Sequence, residues 1–213
     1  MIISEAQARS WLEELPEWTV EAAERLELLV AMLKQESARQ NLVSAASLAA
    51  VWQRHIADSA QLLSRVPREA SAPWLDLGTG AGFPGLVIAA LRPECEVLMV
   101  ESRSRRAEWL ETARIALGLN QAQVISARLE LVPVRPVRVI SARAFAPLGK
   151  LLDLSARFST ADTLWLLPKG RSAPQELAGL VGWRHMFHVE QSLTDPDAGL
   201  IVGKIAGKKG RKP

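Results

Sequence analysis

The stretch "WLDLGTGAGFPG", residues 74–85, joins a short apolar run that ends in an acidic residue to a turn with four glycines. A short apolar run of this kind is typical of a buried strand. Glycine-rich turns that follow a strand let the backbone approach a ligand closely, and their common ligands are phosphates, dinucleotides and adenosyl cofactors. The ligand that fits this turn therefore decides the function.

Downstream of this stretch, apolar runs alternate with helical patterns. The runs are "WLDLG", "EVLMVE", "AQVISA", "VRVISARA" and "TLWLLPKG", and the helical patterns lie near 85–91, 104–117, 147–157 and 172–180. Because parallel strands need a crossover helix between them, this order predicts an α/β fold with a parallel, doubly wound sheet. The runs "WRHMFHVEQ" and "LIVGKIAG" are separated only by "SLTDPDAG", which is too short for a crossover helix. They predict a C-terminal antiparallel hairpin at the sheet edge.

The chain before the sheet is predicted to be helical. Ser4 with Gln7 forms a capping box, Thr19 is placed to cap "VEAAERLELLVAMLKQ", and a third helical stretch runs over about 47–63. We therefore predict a helical N-terminal extension over 1–66 that packs on a catalytic domain over 67–206. The last residues, 207–213, carry Lys208, Lys209, Arg211 and Lys212 and predict a basic flexible tail.

Composition narrows the class of protein. The chain has 213 residues, of which 48% are hydrophobic, and its longest uncharged apolar run falls far short of the roughly 20 residues that a membrane helix needs. We expect no membrane span and no signal peptide. Cys95 is the sole cysteine, so we expect a reducing, cytoplasmic location and no metal site. The net charge of +3 and the isoelectric point near 9.3 favour a polyanionic partner.

The glycine turn fits two cofactors unequally. Gly80, Gly82 and Gly85 satisfy the spacing of a dinucleotide-binding turn, but Pro84 has no N–H for a pyrophosphate and Asp76 brings a like charge. S-adenosylmethionine fits better, because its ammonium and sulfonium can face an acidic strand end and its ribose hydroxyls suit a carboxylate such as Glu101. No lysine follows the glycines, which excludes a Walker-type phosphate loop.

Each successive strand is predicted to end in a polar residue. These residues are Asp76, Glu101, Glu130, Arg143 and Lys169, in strand order. Ligands of open α/β sheets bind outside the carboxyl ends of the strands. We therefore expect the five side chains to line one cleft.

Five motifs together resemble one known family. They are "RHIADS" (54–59), "LDLGTGAGFPG" (75–85), "ESRSRRAEWL" (101–110), "SARAFAPL" (141–148) and "LPKG" (167–170). In this order they look like the bacterial small-subunit (16S) ribosomal RNA guanine-N7 methyltransferases, the RsmG or GidB family. The resemblance implies a class I, Rossmann-like sheet that binds S-adenosylmethionine, with a helical N-terminal extension.

The resemblance also implies roles for individual residues. The cofactor contacts carried over are Gly78, Phe83, Leu129, Glu130 and Arg143, and we add Asp76, Gly80 and Glu101 as neighbours. Arg143 and Lys169 are expected to position the reactants, while His55 and Asp58 connect the N-terminal helices to the cleft or touch RNA. The sequence departs from the family pattern at Thr79, Arg105, Arg106 and Leu129. Of these changes, Leu129 in place of alanine bears on the adenine pocket.

Methylation at guanine N7 sets modest chemical demands. N7 carries a free lone pair at neutral pH, so no general base is required and catalysis reduces to aligning N7 with the methyl group. The acceptor is expected to be an exposed or flipped guanine in small-subunit ribosomal RNA or a ribosomal particle, bound by a monomeric enzyme. A nicotinamide-dependent oxidoreductase and a non-catalytic RNA-binding protein on the same fold remain alternatives.

Overall fold

The computed structural model describes residues 1–68 and 73–210, and the N-terminal part is helical as predicted. Helix α1 spans Glu5–Glu13 and α2 spans Val20–Ser37. Both begin at the predicted caps: Ser4 Oγ accepts from Gln7 N at 3.2 Å, and Thr19 Oγ1 accepts from Ala22 N at 3.1 Å. These bonds satisfy backbone donors that have no partner within the helix.

The third predicted helix is divided into shorter segments. Helix α3 spans Ala45–Ala49, a π-helical segment spans Trp52–Ala57, α4 spans Asp58–Ala60, and a 3-10 turn spans Gln61–Arg65. The prediction of one continuous helix over 47–63 is therefore wrong in detail. Single π-turns widen a helix locally and are frequent at functional sites. The one seen here carries His55.

The predicted parallel sheet is confirmed. Its strands are β1 Trp74–Leu77, β2 Val97–Glu101, β3 Ala122–Ser126, β4 Val139–Ala142, β5 Leu164–Gly170, β7 His188–Gln191 and β8 Gly199–Gly203. The spatial order is β3-β2-β1-β4-β5-β8-β7, in which the first five strands run parallel and the last two antiparallel to their neighbours. The crossover helices are α5 Gly85–Leu91, α6 Ser104–Ala116 and α7 Leu148–Ser155, and α8 Ala173–Ala178 follows β5.

The predicted C-terminal hairpin forms, but each of its arms is broken. Strands β7 and β8 pair in the main sheet, whereas β6 Trp183–His185 pairs with β9 Ile205–Lys208 in a separate two-stranded sheet. The break falls at Gly203, whose φ of +148° and close approach to the Met186 carbonyl leave no room for a side chain. The chain can therefore turn out of the main sheet at this point.

The predicted flexible tail begins too early. Gly207 and Lys208 belong to β9, where Lys208 is paired in register with Trp183. The Lys208 ammonium also lies 2.6 Å from Asp153 Oδ1, so this lysine is held by α7 as well as by the sheet. In the rest of the predicted tail, Lys209 N donates to the Gly182 carbonyl at 2.8 Å. Residues 211–213, with Arg211 and Lys212, lie outside the described residues.

Two hydrophobic clusters cover the faces of the sheet. One joins Trp74, Val97 and Met99 to α5, α6 and the N-terminal helices, and the other joins Leu75, Leu77 and Trp165 to α7. The N-terminal extension therefore shares a core with the sheet. A buried ion pair, Arg92 Nη2 to Glu17 Oε1 at 2.8 Å, lies in this shared region. Across residues 1–68 and 73–210, no helix is long and apolar enough to cross a membrane.

Candidate active site at the carboxyl edge of the sheet

The glycine turn is held from below by Asp76. Its Oδ2 accepts from Gly85 N at 3.0 Å, and its Oδ1 accepts from Ser141 Oγ at 2.8 Å. Ser141 in turn accepts from Trp74 Nε1 at 2.9 Å. Asp76 is 0% exposed, so its carboxylate supports the start of α5 from inside the protein instead of facing the cleft as the sequence had led us to expect.

Burial raises the pKa of Asp76 to about 6, although its hydrogen bonds to Ser141, Thr79 and Gly85 and the charge of Arg143 oppose this rise. The folded value lies above the ordinary 3.8, so the stability that the neutral form contributes is present below pH 3.8 and is lost as the pH rises through 6.

Asp76→Asn removes this pH dependence. The wild type loses stability over this range and the variant does not. We therefore expect the free energy of unfolding of the variant, minus that of the wild type, to increase by roughly 2 kcal/mol from about pH 4.5 to about pH 7.5. Urea unfolding of both proteins at several pH values measures this difference. A difference that stays constant with pH would show that Asp76 is ionised throughout.

Glu101 ties the turn to the next helix. Its Oε2 accepts from Gly80 N at 3.0 Å and its Oε1 accepts from Arg103 N at 2.8 Å. The side chain is 5% exposed. Gly78 and Gly80 adopt φ values of +63° and +61°, a region that favours glycine, so Glu101 fixes a turn whose shape depends on these two residues.

The smaller of two neighbouring cavities opens beside this turn and measures about 280 Å³. Of the predicted cofactor residues, Gly78, Leu129 and Glu130 line it. Leu129 is only 4% exposed, so its side chain forms part of the apolar wall. The cavity thus combines apolar surfaces with polar groups at its edge.

The larger cavity measures about 810 Å³ and lies toward the N-terminal helices. The predicted residues Arg143, Lys169, His55 and Asp58 line it. The structure therefore separates the five strand-end residues into three places: Glu130 in the smaller cavity, Arg143 and Lys169 in the larger one, and Asp76 and Glu101 beneath the turn. Phe145 and Ala146 line both cavities.

Arg143 is clamped by the N-terminal extension. Its Nη1 lies 3.3 Å from Asp58 Oδ2 and donates to the Arg54 carbonyl at 3.2 Å, while Nη2 lies 3.0 Å from His55 Nδ1. Its acidic partner is thus Asp58, which the N-terminal extension supplies. The expectation that His55 and Asp58 connect the N-terminal helices to the cleft is consistent with this arrangement.

His55 is a neutral ring with a fixed tautomer. Burial lowers its pKa to about 3, with the charges of Arg143 and Arg54 adding to the effect. Because an arginine can only donate, Nδ1 accepts and Nε2 carries the proton. Nε2 is buried and has no hydrogen-bond partner in the described part of the chain. The ring stacks on Phe83, with centroids 4.7 Å apart, and so covers a side chain that is itself 2% exposed.

Lys169 is held in place by groups that sequence reasoning did not identify. Its ammonium lies 2.9 Å from Glu176 Oε2 and donates to the Ala146 carbonyl, and its side chain is 6% exposed. Glu176 also accepts from Leu148 N at 2.8 Å. Glu176, Ser141 and Phe145 were all missed as site residues. The motif "SARAFAPL" contains Ser141 and Phe145, but the sequence carries no signal for the role of Glu176 on α8.

No metal centre accompanies these groups in the ranges that the structure covers, since no cluster of three or more His, Cys, Asp or Glu side chains is placed to hold an ion there.

The sheet order and the two cavities at its carboxyl edge are those of a class I methyltransferase fold. Solved structures share this fold at low sequence identity. A SAM-dependent methyltransferase from Aquifex aeolicus superimposes with a TM-score of 0.57 at 15% identity, covering 83% of this chain and 97% of its own. Fibrillarin from Aeropyrum pernix superimposes with a TM-score of 0.54 at 16% identity, and the match covers 71% of this chain and 75% of fibrillarin.

Comparison at the level of sequence is more specific. The family model described as GidB, rRNA small subunit methyltransferase G, matches residues 22–191. Ribosomal RNA small subunit methyltransferase G of Erythrobacter litoralis is 58% identical over 209 residues, which are 98% of this chain and 100% of that protein. The protein of the same name from Novosphingobium aromaticivorans is 55% identical over 212 residues, 98% of this chain and 92% of its own. The chain belongs to the GidB family.

Proposed function

We propose that this protein transfers the methyl group of S-adenosylmethionine to N7 of a guanine in small-subunit (16S) ribosomal RNA. The observation that carries the proposal is the pair of cavities that meet at Phe145 and Ala146, one beside the glycine turn and one lined by Arg143 and Lys169. A methyl donor and an acceptor base need two such sites in contact. Membership of the GidB family supports the choice of substrate.

The smaller cavity suits the nucleoside of the cofactor. Leu77, Val100 and Leu129 offer apolar walls to an adenine ring, and Ser102 and Glu130 offer polar groups to hydroxyls and ring nitrogens. Gly78 lies at the cavity without a Cβ, and the ring of Phe145 takes the space that a Cβ would need. When bound, S-adenosylmethionine supplies an electrophilic methyl group. Gly78, Leu129 and Glu130 are the residues that we assign to holding it, and Asp76, Gly80, Glu101 and Phe83 support the turn. Arg143, which the family resemblance implied as a cofactor contact, lines the larger cavity instead.

The residues of the larger cavity position the acceptor and do not move a proton. Guanine N7 needs no deprotonation, and the low pKa of His55 keeps that ring neutral near pH 7. The guanidinium of Arg143 presents donors that can hydrogen-bond to O6 of guanine, which leaves the lone pair of N7 free to attack the methyl group. Asp58 and His55 hold this plane at a fixed angle. Positioning of this kind accelerates reaction by aligning the reactants.

We assign the RNA backbone to cations near the glycine turn. Arg128 and Lys150 line the smaller cavity, and Arg103 and Arg106 lie at the start of α6. These four form no ion pair within the described residues, whereas the cations of the larger cavity are paired with Asp58, Asp195 and Glu176. Unpaired surface cations attract phosphates.

We further propose that the enzyme is monomeric and acts in the cytoplasm, where small subunits are assembled. Its N-terminal extension over 1–66 completes the cleft of the domain over 67–206.

A nicotinamide dinucleotide fits the turn less well. A pyrophosphate needs free N–H groups at the start of the helix that follows the glycines. Pro84 has no N–H, and the N–H of Gly85 is taken by Asp76. The structure therefore offers a weaker pyrophosphate site than the dinucleotide spacing of the glycines predicts.

Methyl transfer to small-subunit particles tests the proposed function. Particles from cells that lack the enzyme are incubated with the protein and tritiated S-adenosylmethionine, and the digested RNA is analysed by nucleoside mass spectrometry. We expect 7-methylguanosine as the product. Label in a different nucleoside would change the acceptor, and cofactor binding without any transfer would leave the non-catalytic RNA-binding alternative.

A further inference from the structure

Phe145 occupies the place where the two cavities meet. It lies in the loop Arg143–Pro147 between β4 and α7, and it lines both the smaller and the larger cavity. Its ring packs against Gly78 so closely that a Cβ built on that glycine would come within 2.5 Å of Phe145 Cδ2. An aromatic side chain therefore stands between the donor side and the acceptor side.

We propose that the ring of Phe145 stacks on the acceptor guanine and holds it in line with the methyl donor, an inference that rests on the proposed function. Attack by N7 requires the base to come within about 3 to 3.5 Å of the methyl carbon, opposite the sulfur. The base must therefore reach the border between the two cavities. Of the two side chains that line both cavities, Phe145 and Ala146, the aromatic one has a flat face that matches a purine.

The polar groups of the larger cavity leave this task to an apolar face. Arg143 is engaged with Asp58 and His55, and Lys169 is engaged with Glu176 and the Ala146 carbonyl. These groups can orient the edge of a base, but the guanidinium of Arg143 is already turned toward the ring of Phe83, 5.2 Å from its centroid, and the ammonium of Lys169 has no flat face. A guanine extruded from an RNA helix loses the stacking of its neighbours, and an aromatic side chain restores part of it.

The loop that carries the ring has no regular secondary structure. Residues 143–147 form no regular helix or strand, and Ala144 has a φ of +52°, an unusual value for a residue with a Cβ. A cofactor that contacts Gly78 shares space with the ring that covers this glycine. We expect cofactor binding to displace the ring toward the larger cavity, which it also lines.

The test separates stacking from simple wall formation. Phe145→Leu keeps an apolar side chain but removes the flat face, and Phe145→Tyr restores an aromatic face and serves as the matched control. Affinity for S-adenosylmethionine is measured by calorimetry, and kcat/KM for small-subunit particles is measured at saturating cofactor. Circular dichroism checks the fold of each variant.

We expect Phe145→Leu to bind the cofactor within about threefold of the wild type and to lose about tenfold or more in kcat/KM for particles, since stacking on an aromatic side chain contributes on that order per base. Phe145→Tyr is expected within about threefold on both measures. A leucine variant with wild-type kcat/KM, or one whose activity falls only in proportion to cofactor affinity, overturns the proposal. A folded tyrosine variant that is as impaired as the leucine variant also overturns it. If one variant folds poorly, the result of the other variant is used on its own, since each has an outcome that contradicts stacking. Wild-type protein that transfers no methyl group to particles contradicts the proposed function itself, a separate outcome.

Discussion

Replacing Gly78 by valine is expected to lower the affinity for S-adenosylmethionine at least about a hundredfold, equivalent to roughly 2.7 kcal/mol. Gly78 has a φ of +63°, and a Cβ at this position would meet Phe145 Cδ2 at 2.5 Å. A branched side chain would displace this ring, and both residues line the smaller cavity that we assign to the cofactor. Isothermal titration calorimetry on the purified variant measures the loss.

Gly118→Val is the matched control for this substitution. Gly118 has a φ of +65°, but nothing lies within 4 Å of a Cβ built there, and it is not part of either cavity lining. Both variants therefore bear similar backbone strain, of about 1–2 kcal/mol, while one of them alone obstructs the site. Wild-type affinity in a folded Gly78→Val protein, or an equal loss in Gly118→Val, would remove Gly78 from the cofactor site.

Substituting Arg143 by lysine is expected to lower methyl transfer by about tenfold or more, which corresponds to roughly 1.4 kcal/mol in the barrier. The guanidinium uses one nitrogen on Asp58 and the Arg54 carbonyl and the other on His55, so it lies in a plane fixed from two sides. A lysine ammonium is a single point charge and cannot reproduce that plane. Transfer to small-subunit particles under single-turnover conditions gives the rate.

Arg171→Lys provides the comparison for Arg143→Lys. Arg171 is also ion-paired, with Asp197 at 2.5 Å, but its side chain is 81% exposed. Exposed pairs of this kind contribute little, so this variant is expected to retain wild-type activity. Near-normal turnover in a stable Arg143→Lys enzyme would instead assign Arg143 to support of the loop, with Asp58 as its structural partner.

The order of secondary structure was accessible from sequence because periodicity and caps are local signals. Ser4 and Thr19 mark the helix starts that the structure has, and the length of the segment between the last two apolar runs excluded a crossover helix. The division of the helix around His55 was not predictable in this way. A π-turn depends on packing against α1, whose Glu5 carboxylate accepts from the backbone N–H groups of Trp52 and Gln53. The break at Gly203 likewise depends on the approach of a distant carbonyl.

The site was predictable as a place but not as a set of contacts. The rule that ligands bind at the carboxyl ends of parallel strands locates Glu130, Arg143 and Lys169 at the cleft. The same rule placed Asp76 there, and it cannot distinguish a side chain that faces a ligand from one that bonds inward to Gly85 and Ser141. The partner of Arg143 was missed for a related reason. Asp58 reaches it from another part of the chain, and only the packing of the N-terminal helices brings the two together.

The buried ion pair between Glu17 and Arg92 limits how this protein can be recombined. The two side chains are 4% and 2% exposed, and Arg92 also donates to the carbonyls of Leu63 and Val66. A chimera that takes its first 66 residues from one relative and its sheet from another keeps the pair only if the first parent has the acid at position 17 and the second has the arginine at position 92. A mismatch leaves one charge buried alone, at about 3–5 kcal/mol. The helices and the sheet are thereby inherited as one unit, although they look like separable modules along the chain.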